Sequence, residues 1–198
     1  RLAKSVLPAV TVVFGGIGTT FLWRHLLTHF DVIDYAAICE GENTFPVLLK
    51  YLADNQRNKI DTIPGLAFRR GADIISSGAA DPIGTLDDLP SPSAHFTYQH
   101  MALTRGCAYQ CTFCGSPRFW GRRVRFHSAE YFVDQLVHQV RRGVRFFYFS
   151  DDTFTRRRET TIEVCRRIID RGIKIDWTAI SRVNYVDDEM LAWMRKAG

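Results

Sequence analysis

The chain has no uninterrupted apolar run near the ~20 residues that a membrane-spanning helix needs. It also lacks a signal-like start, because Arg1-Leu2-Ala3-Lys4 is not followed by an apolar stretch ending in a cleavage site. A cytoplasmic chain without a membrane span is expected. Cysteine is scarce and odd in number, five in 198 residues, which excludes a complete disulfide framework. Three of the five fall between positions 107 and 114, which suits a metal site in a reducing compartment. No helix-turn-helix, RNA-recognition or zinc-finger spacing accompanies the basic residues. The net charge of +5 is therefore read as solvated helix faces rather than a nucleic-acid surface. There is no initiating methionine, and the chain stops on Lys196-Ala197-Gly198, so a fragment is expected.

What the sequence does have is alternation. Val10-Thr11-Val12-Val13-Phe14 is a β-branched run halted by Gly15-Gly16, as an interior parallel strand is. A helix should follow, capped by Thr19 or Thr20, with Leu22, Leu26 and Phe30 as its apolar face. A second strand, Tyr35 to Cys39, leads through Glu40-Gly41-Glu42 into a second helix. Its cap is Asn43 or Thr44, Pro46 sits in its first turn, and Leu48, Leu49 and Leu52 face inward. This β-α-β-α order over residues 1–60 is half of an open doubly wound sheet. Residues 61–94 read as a connector: a small hairpin around Arg70-Gly71-Ala72-Asp73, then three of the seven prolines between Asp81 and Ser93. From residue 95 the alternation resumes with a strand at Met101 to Thr104. A helix from Ser128 to Arg142 follows, with Phe132, Leu136 and Val140 on one face and Gly143 ending it. Next come a strand from Val144 to Ser150, a helix burying Ile162, Cys165, Ile168 and Ile169, and a strand from Ile173 to Ile180. A last helix begins after Asp187 with Met190, Leu191 and Met194 inward. Three βα units in succession point to the first half of a parallel barrel.

The chemistry concentrates in Arg105-Gly106-Cys107-Ala108-Tyr109-Gln110-Cys111-Thr112-Phe113-Cys114, a C-x3-C-x2-C spacing directly after a strand. Three thiolates in one loop can hold three corners of a cubane cluster and leave the fourth iron open. One alternative is a zinc site completed by His127 or His100, although zinc sites favour paired C-x2-C hooks, and another is a non-catalytic iron–sulfur or zinc module that binds a partner through its arginines. His25 and His29, four apart on a helix, read as an exposed polar face, and Cys39 and Cys165 as small hydrophobes.

This spacing, with Phe113 just before the last cysteine, resembles the radical S-adenosylmethionine (SAM) enzymes. The resemblance implies a 4Fe-4S cluster on Cys107, Cys111 and Cys114, whose open iron chelates the amino and carboxylate groups of SAM. One electron from the cluster then cleaves SAM to a 5′-deoxyadenosyl radical. Further SAM contacts are implied at Phe113 and Gly115, at Ser150, Asp151 and Asp152, where the family often has Gly-Gly-Glu, and at Ser181 and Arg182. Asp152 takes the glutamate's role of facing the methionine ammonium. The alternatives are capping of the following helix by Asp151 and Asp152, and a surface ion pair for Arg182.

Two glycine-bearing strand ends, Gly15-Gly16 and Gly41-Glu42, precede the proline-rich stretch and the cysteine loop. That order resembles the cobalamin-dependent members of the family, whose glycines let backbone approach the nucleotide tail. No Asp-x-His-x-x-Gly motif supplies a cobalt ligand. The expected fold class is α/β: a partial doubly wound cobalamin-binding-type domain over 1–60, the connector over 61–94, and the first half of a (βα)6 partial TIM-like radical SAM barrel over 95–198. The implied reaction is cobalamin-dependent methylation of an unactivated carbon, with radical ring formation or rearrangement as the alternative. A small-molecule or peptide substrate and an electron donor such as flavodoxin or ferredoxin go with it.

Overall fold

The computed structural model describes residues 2–198, which divide after Ile83 into two units. The first contains α1 (Leu2–Val6), β1 (Val13–Phe14), α2 (Gly16–His29), β2 (Tyr35–Ala37), α3 (Thr44–Ala53), β3 (Leu66–Arg70) and β4 (Asp73–Ser76). β1 and β2 run parallel, with Val13 opposite Tyr35. Asp34 extends the pairing: its amide donates to the Val12 carbonyl at 3.0 Å and its carboxylate accepts from the Val12 amide at 2.7 Å. Successive side chains of β2 then serve opposite faces. Tyr35 joins Leu48, Ile60, Ile63, Leu66 and Phe68 on the α3 side, and Ala36 joins Leu27, Ile33, Ile38 and Ala67 on the α2 side.

Local details depart from expectation. α2 starts one residue after Gly15, so Thr19 and Thr20 lie inside the helix, where their hydroxyls donate to the carbonyls of Gly15 and Gly16, each at 3.0 Å. Leu22 and Phe30 are exposed, whereas Leu26, as expected, packs inward with Trp23 and Leu27 against the small Ala36 and Ala67. Asn43 makes no side-chain cap for α3, the Thr44 hydroxyl donates to the Pro64 carbonyl, and Leu49 is exposed.

The hairpin placed in a connector from sequence belongs to this unit's sheet. β3 pairs antiparallel with β2, Ala67 opposite Ala36, and β4 pairs with β3, giving the order β1-β2-β3-β4. The pairing satisfies the second edge of β2 and buries Leu66, Ala67 and Phe68, so the parallel pair becomes part of a mixed sheet. Gly65 makes this possible. Its φ is +76°, and a Cβ there would stand 2.8 Å from Thr44 Oγ1.

The second unit contains β5 (His100–Met101), β6 (Thr104–Arg105), α4 (Ser116–Trp120), β7 (Arg125–Phe126), α5 (Ala129–Arg141), β8 (Phe146–Phe149), α6 (Arg158–Asp170), β9 (Asp176–Ala179) and α7 (Asp188–Ala197). β5, β8 and β9 form a parallel sheet in that order, the first three βα units of a partial barrel. The strand expected at Met101 to Thr104 divides: β5 joins the barrel sheet, while β6 turns away to pair antiparallel with β7. Helices cover one face of the barrel sheet. Phe147 and Phe149 are buried there with Phe132, Leu136, Val164, Cys165 and Ile168, while Phe146 and Tyr148 are exposed on the other face. Ile169 and Leu191, expected inward, are exposed. Ser128 caps α5 by accepting from the Tyr131 amide at 3.1 Å, and Asp187 caps α7 by accepting from the Met190 amide at 2.9 Å, each cap contributing about 1 kcal/mol. Among the described residues, no helix is long and apolar enough to cross a membrane.

Candidate functional site

The cysteine loop runs from the end of β6 to the start of α4. Gly106 opens it at φ +107°, and a Cβ there would lie 2.6 Å from the Arg123 carbonyl oxygen, so only glycine lets the loop start this close to the returning chain. The Cys114 amide donates to the Cys111 carbonyl at 3.1 Å and closes a turn between two of the thiols. Cys107, Cys111 and Cys114 are all free and half-buried. Among the described residues, no three His, Cys, Asp or Glu side chains converge as a single metal ion requires. A cubane asks for something different, one thiolate on each of three irons, and three unpaired thiols spread along one anchored loop fit that donor set.

Neither histidine proposed for zinc joins them. His127 donates through Nδ1 to Asp87 at 2.9 Å and stacks on Tyr131 with ring centroids 4.5 Å apart. Burial pushes its pKa down more than Asp87 raises it, so it is held neutral. His100 stacks on Tyr148 and lies 3.0 Å from the Ser150 hydroxyl. Cys39 and Cys165 lie outside the loop in the sequence: burial pushes the Cys165 thiol up to about 12 and raises that of Cys39, which the Glu40 charge raises further. His25 and His29 are exposed, with ring centroids 4.2 Å apart.

The end of β8 sorts its two carboxylates in opposite directions. Asp151 is 1% exposed. It accepts from the amides of Leu103 and Thr104, at 3.2 and 2.6 Å, and from the Thr104 hydroxyl. The carboxylate of Asp151, named from sequence among the SAM contacts, staples the backbone between β5 and β6, and burial pushes its pKa up to about 6 despite those hydrogen bonds. Asp152 is exposed and accepts from the Ser116 hydroxyl, two residues past Cys114. Neither caps α6, which begins only at Arg158.

Arg182, after β9, comes to the cysteine loop. Its Nη1 lies 3.7 Å from Cys111 Sγ, and its guanidinium stands 3.7 Å from the centre of the Tyr109 ring. Its Nε is buried without a hydrogen-bond partner among the described residues. The surface ion pair considered for Arg182 is therefore not what it makes. Asn184 donates to the Tyr109 hydroxyl at 3.3 Å, and Tyr185 meets the same ring edge-on. Ser181 shares a hydrogen bond with Thr155, Phe113 is 91% exposed, and Gly115 forms the start of α4. Tyr109, Ser116 and Asn184 carry no motif, and only their place beside the cysteines or Arg182 could have marked them.

In the first unit, Gly15-Gly16 and Gly41-Glu42 follow β1 and β2 at the same end of a parallel pair, the edge at which open α/β sheets take ligands. A Cβ added to Gly16 or Gly41 would meet no atom within 4 Å, so backbone is open to approach there. The Cys39 amide donates to Thr20 Oγ1 at 2.9 Å and ties this edge to α2.

A family model described as the Radical SAM superfamily matches residues 101–198, the cysteine loop and all three barrel strands except His100. This chain belongs to the radical SAM superfamily. Over its whole length the radical SAM chain is 33% identical to the anaerobic magnesium-protoporphyrin IX monomethyl ester cyclase of Cereibacter sphaeroides, of which it covers 35%. It is likewise 30% identical over its whole length to an uncharacterized methyltransferase of Pyrococcus horikoshii, of which it covers 45%. It thus spans less than half the length of these relatives. The structure of the radical SAM methyltransferase TsrM from Kitasatospora setae, with cobalamin and a 4Fe-4S cluster bound, matches 96% of this chain and 40% of its own, with a TM-score of 0.78. At 17% identity that likeness speaks to the fold alone.

Proposed function

We propose that this chain is the cofactor-binding core of a radical SAM enzyme that methylates an unactivated carbon with the help of cobalamin. The observation that carries the reading is the glycine-anchored loop presenting three free thiols between β6 and α4. When bound, a 4Fe-4S cluster supplies the electron that cleaves SAM, and cobalamin supplies the methyl carrier. Cys107, Cys111 and Cys114 hold three irons. Arg182 places positive charge and a donor beside Cys111, and its buried, unpartnered Nε–H is available to an acceptor at the same place. Asp152, exposed and oriented by Ser116, meets the methionine ammonium. Ser150, Ser181, Phe113 and Gly115 border the cofactor. At the first unit's open edge, Gly16 and Gly41 leave room for the nucleotide tail of cobalamin, with Gly15 and Glu42 beside them in the chain.

Radical ring formation is the second reading, favoured by the identity to the Cereibacter cyclase. It uses the same residues in the same roles. A small-molecule or peptide substrate, a flavodoxin or ferredoxin as electron donor, and a cytoplasmic location complete the proposal. The test is anaerobic reconstitution of the full-length protein with iron, sulfide and cobalamin, followed by SAM and a low-potential reductant. About four irons per chain, corrinoid absorbance and 5′-deoxyadenosine are expected. Stoichiometric zinc without iron, and no 5′-deoxyadenosine, would end the radical reading. Iron with 5′-deoxyadenosine but no corrinoid would remove cobalamin alone.

A further inference from the structure

None of these roles uses a cavity of about 400 Å³ in the second unit. Arg122, Arg156, Arg157, Arg158 and Glu159 line it, and so does Ala108, the residue after Cys107. Its size lies within the range of small-molecule sites. Arg158 is committed elsewhere, with Nε 2.8 Å from Asp187 and a second contact to Glu189. Arg122, Arg156 and Arg157 have no carboxylate partner among the described residues. Arg156 lies over the Tyr185 ring at 4.9 Å and Arg157 over the Phe126 ring at 4.0 Å. Such stacking occupies the flat face of a guanidinium and leaves its N–H edge free to grip an oxyanion.

Electrostatically the arrangement is unfavourable as it stands. Three consecutive guanidiniums, 156–158, lead into the 13-residue α6, with Arg157 as its N-cap and Arg158 as its first residue, at the end where the helix carries its own partial positive charge. The N-cap residue, Arg157, offers no acceptor side chain. At the equivalent place the same unit puts Ser128 on α5 and Asp187 on α7. Glu159 supplies a single negative charge beside the three arginines that Asp187 and Glu189 leave unpaired. Local rules broken without internal compensation are a mark of functional sites.

We propose that this cavity binds an oxyanion of the substrate, a carboxylate or a phosphate, and so anchors the substrate beside the cysteine loop. The assignment to substrate rests on the radical SAM reading, whereas oxyanion binding does not. Isothermal titration of the full-length, cluster-loaded protein at low ionic strength tests it, with inorganic pyrophosphate and citrate as separate probes for the two chemistries. One probe should bind at a single site. Arg122→Gln and Arg157→Gln should each weaken it at least tenfold, Arg157→Lys less, and Arg141→Gln, exposed at the end of α5, not at all. Circular dichroism of each variant checks its fold. Absence of binding by either probe, or binding indifferent to Arg122 and Arg157, would overturn the proposal. So would displacement of the probe by SAM, which would give the cavity to the cofactor's carboxylate. Production of 5′-deoxyadenosine without anion binding defeats this inference and spares the radical reading; anion binding without 5′-deoxyadenosine does the reverse.

Discussion

Asp151→Asn separates two physical effects that oppose each other at the end of β8. Three donors point at the carboxylate, which favours ionisation, yet burial raises its pKa from 3.8 to about 6. If burial wins, the folded state holds a proton that the unfolded state has released between those two values. Stability therefore falls as pH rises through that window. A rise from 3.8 to about 6 corresponds to about 3 kcal/mol at pH 7, at about 1.4 kcal/mol per tenfold change. Asparagine cannot ionise and resembles the protonated acid in keeping one purely accepting oxygen and replacing the other by a donor group, the NH2 with its two N–H bonds. Urea unfolding of both proteins from about pH 4 to about pH 7 isolates the effect, because every other carboxylate titrates alike in the two. The difference in unfolding free energy should move toward the variant by up to about 3 kcal/mol across the range. A difference that stays constant, or moves toward the wild type, would mean that the amides of Leu103 and Thr104 outweigh burial and hold Asp151 ionised.

Cys111→Ala should leave the reconstituted protein without its cluster absorbance, whereas Cys165→Ala should keep the iron and cost about 0.5–3 kcal/mol in urea, since that thiol is buried among Phe149 and Ile168 in the core. Asp152→Asn should weaken SAM binding about ten- to a hundredfold by equilibrium dialysis with iron content unchanged, from the loss of a charge-assisted hydrogen bond worth about 1.5–3 kcal/mol; unaltered affinity would reduce Asp152 to a partner for Ser116. Gly106→Ala puts a Cβ 2.6 Å from the Arg123 carbonyl at a φ that side chains avoid, so it should cost about 1–3 kcal/mol and lower iron content, while Gly121→Ala, also at positive φ but in open space, should keep its iron. Gly41→Val has open space and no positive φ, so stability should hold within about 0.5 kcal/mol while corrinoid uptake falls; full uptake would move the nucleotide tail away from this edge.

Features set by neighbours in sequence were legible. The helix starts at Ser128 and after Asp187 coincide with caps that bond three positions on, although the caps expected at Thr19, Thr20 and Asn43 do not form, and the stripes of α5 and α6 follow from a period of 3.6. The cysteine spacing is local as well. Features that depend on distant partners were not. The hairpin joins the first sheet because Ala67 meets Ala36, a pairing no turn signal announces. β6 leaves the barrel sheet at the place where Asp151, 47 residues away, takes the Thr104 amide. Arg182 is 71 residues from Cys111, and nothing in either segment names the other.

Asp151 and Asp152 fall between these cases, since the information was present but masked. From Phe146 to Thr153 burial alternates without a break: Phe147, Phe149, Asp151 and Thr153 are buried, and Phe146, Tyr148, Ser150 and Asp152 are exposed. A strand's period of two forces this sorting once the phase is known. The phase was hidden because Phe-Phe-Tyr-Phe is apolar at every position, as a strand buried on both faces would be. Two residues on, the period extends beyond the strand itself and decides the chemistry. Asp151 shares the face of Phe149 and must spend its carboxylate on backbone amides, since a buried carboxylate without donors would be far costlier. Asp152 shares the face of Tyr148 and Ser150, the open side of the barrel sheet. If one of the pair meets a cofactor ammonium it is therefore Asp152, and an Asp151 variant should alter pH-dependent stability before it alters SAM affinity.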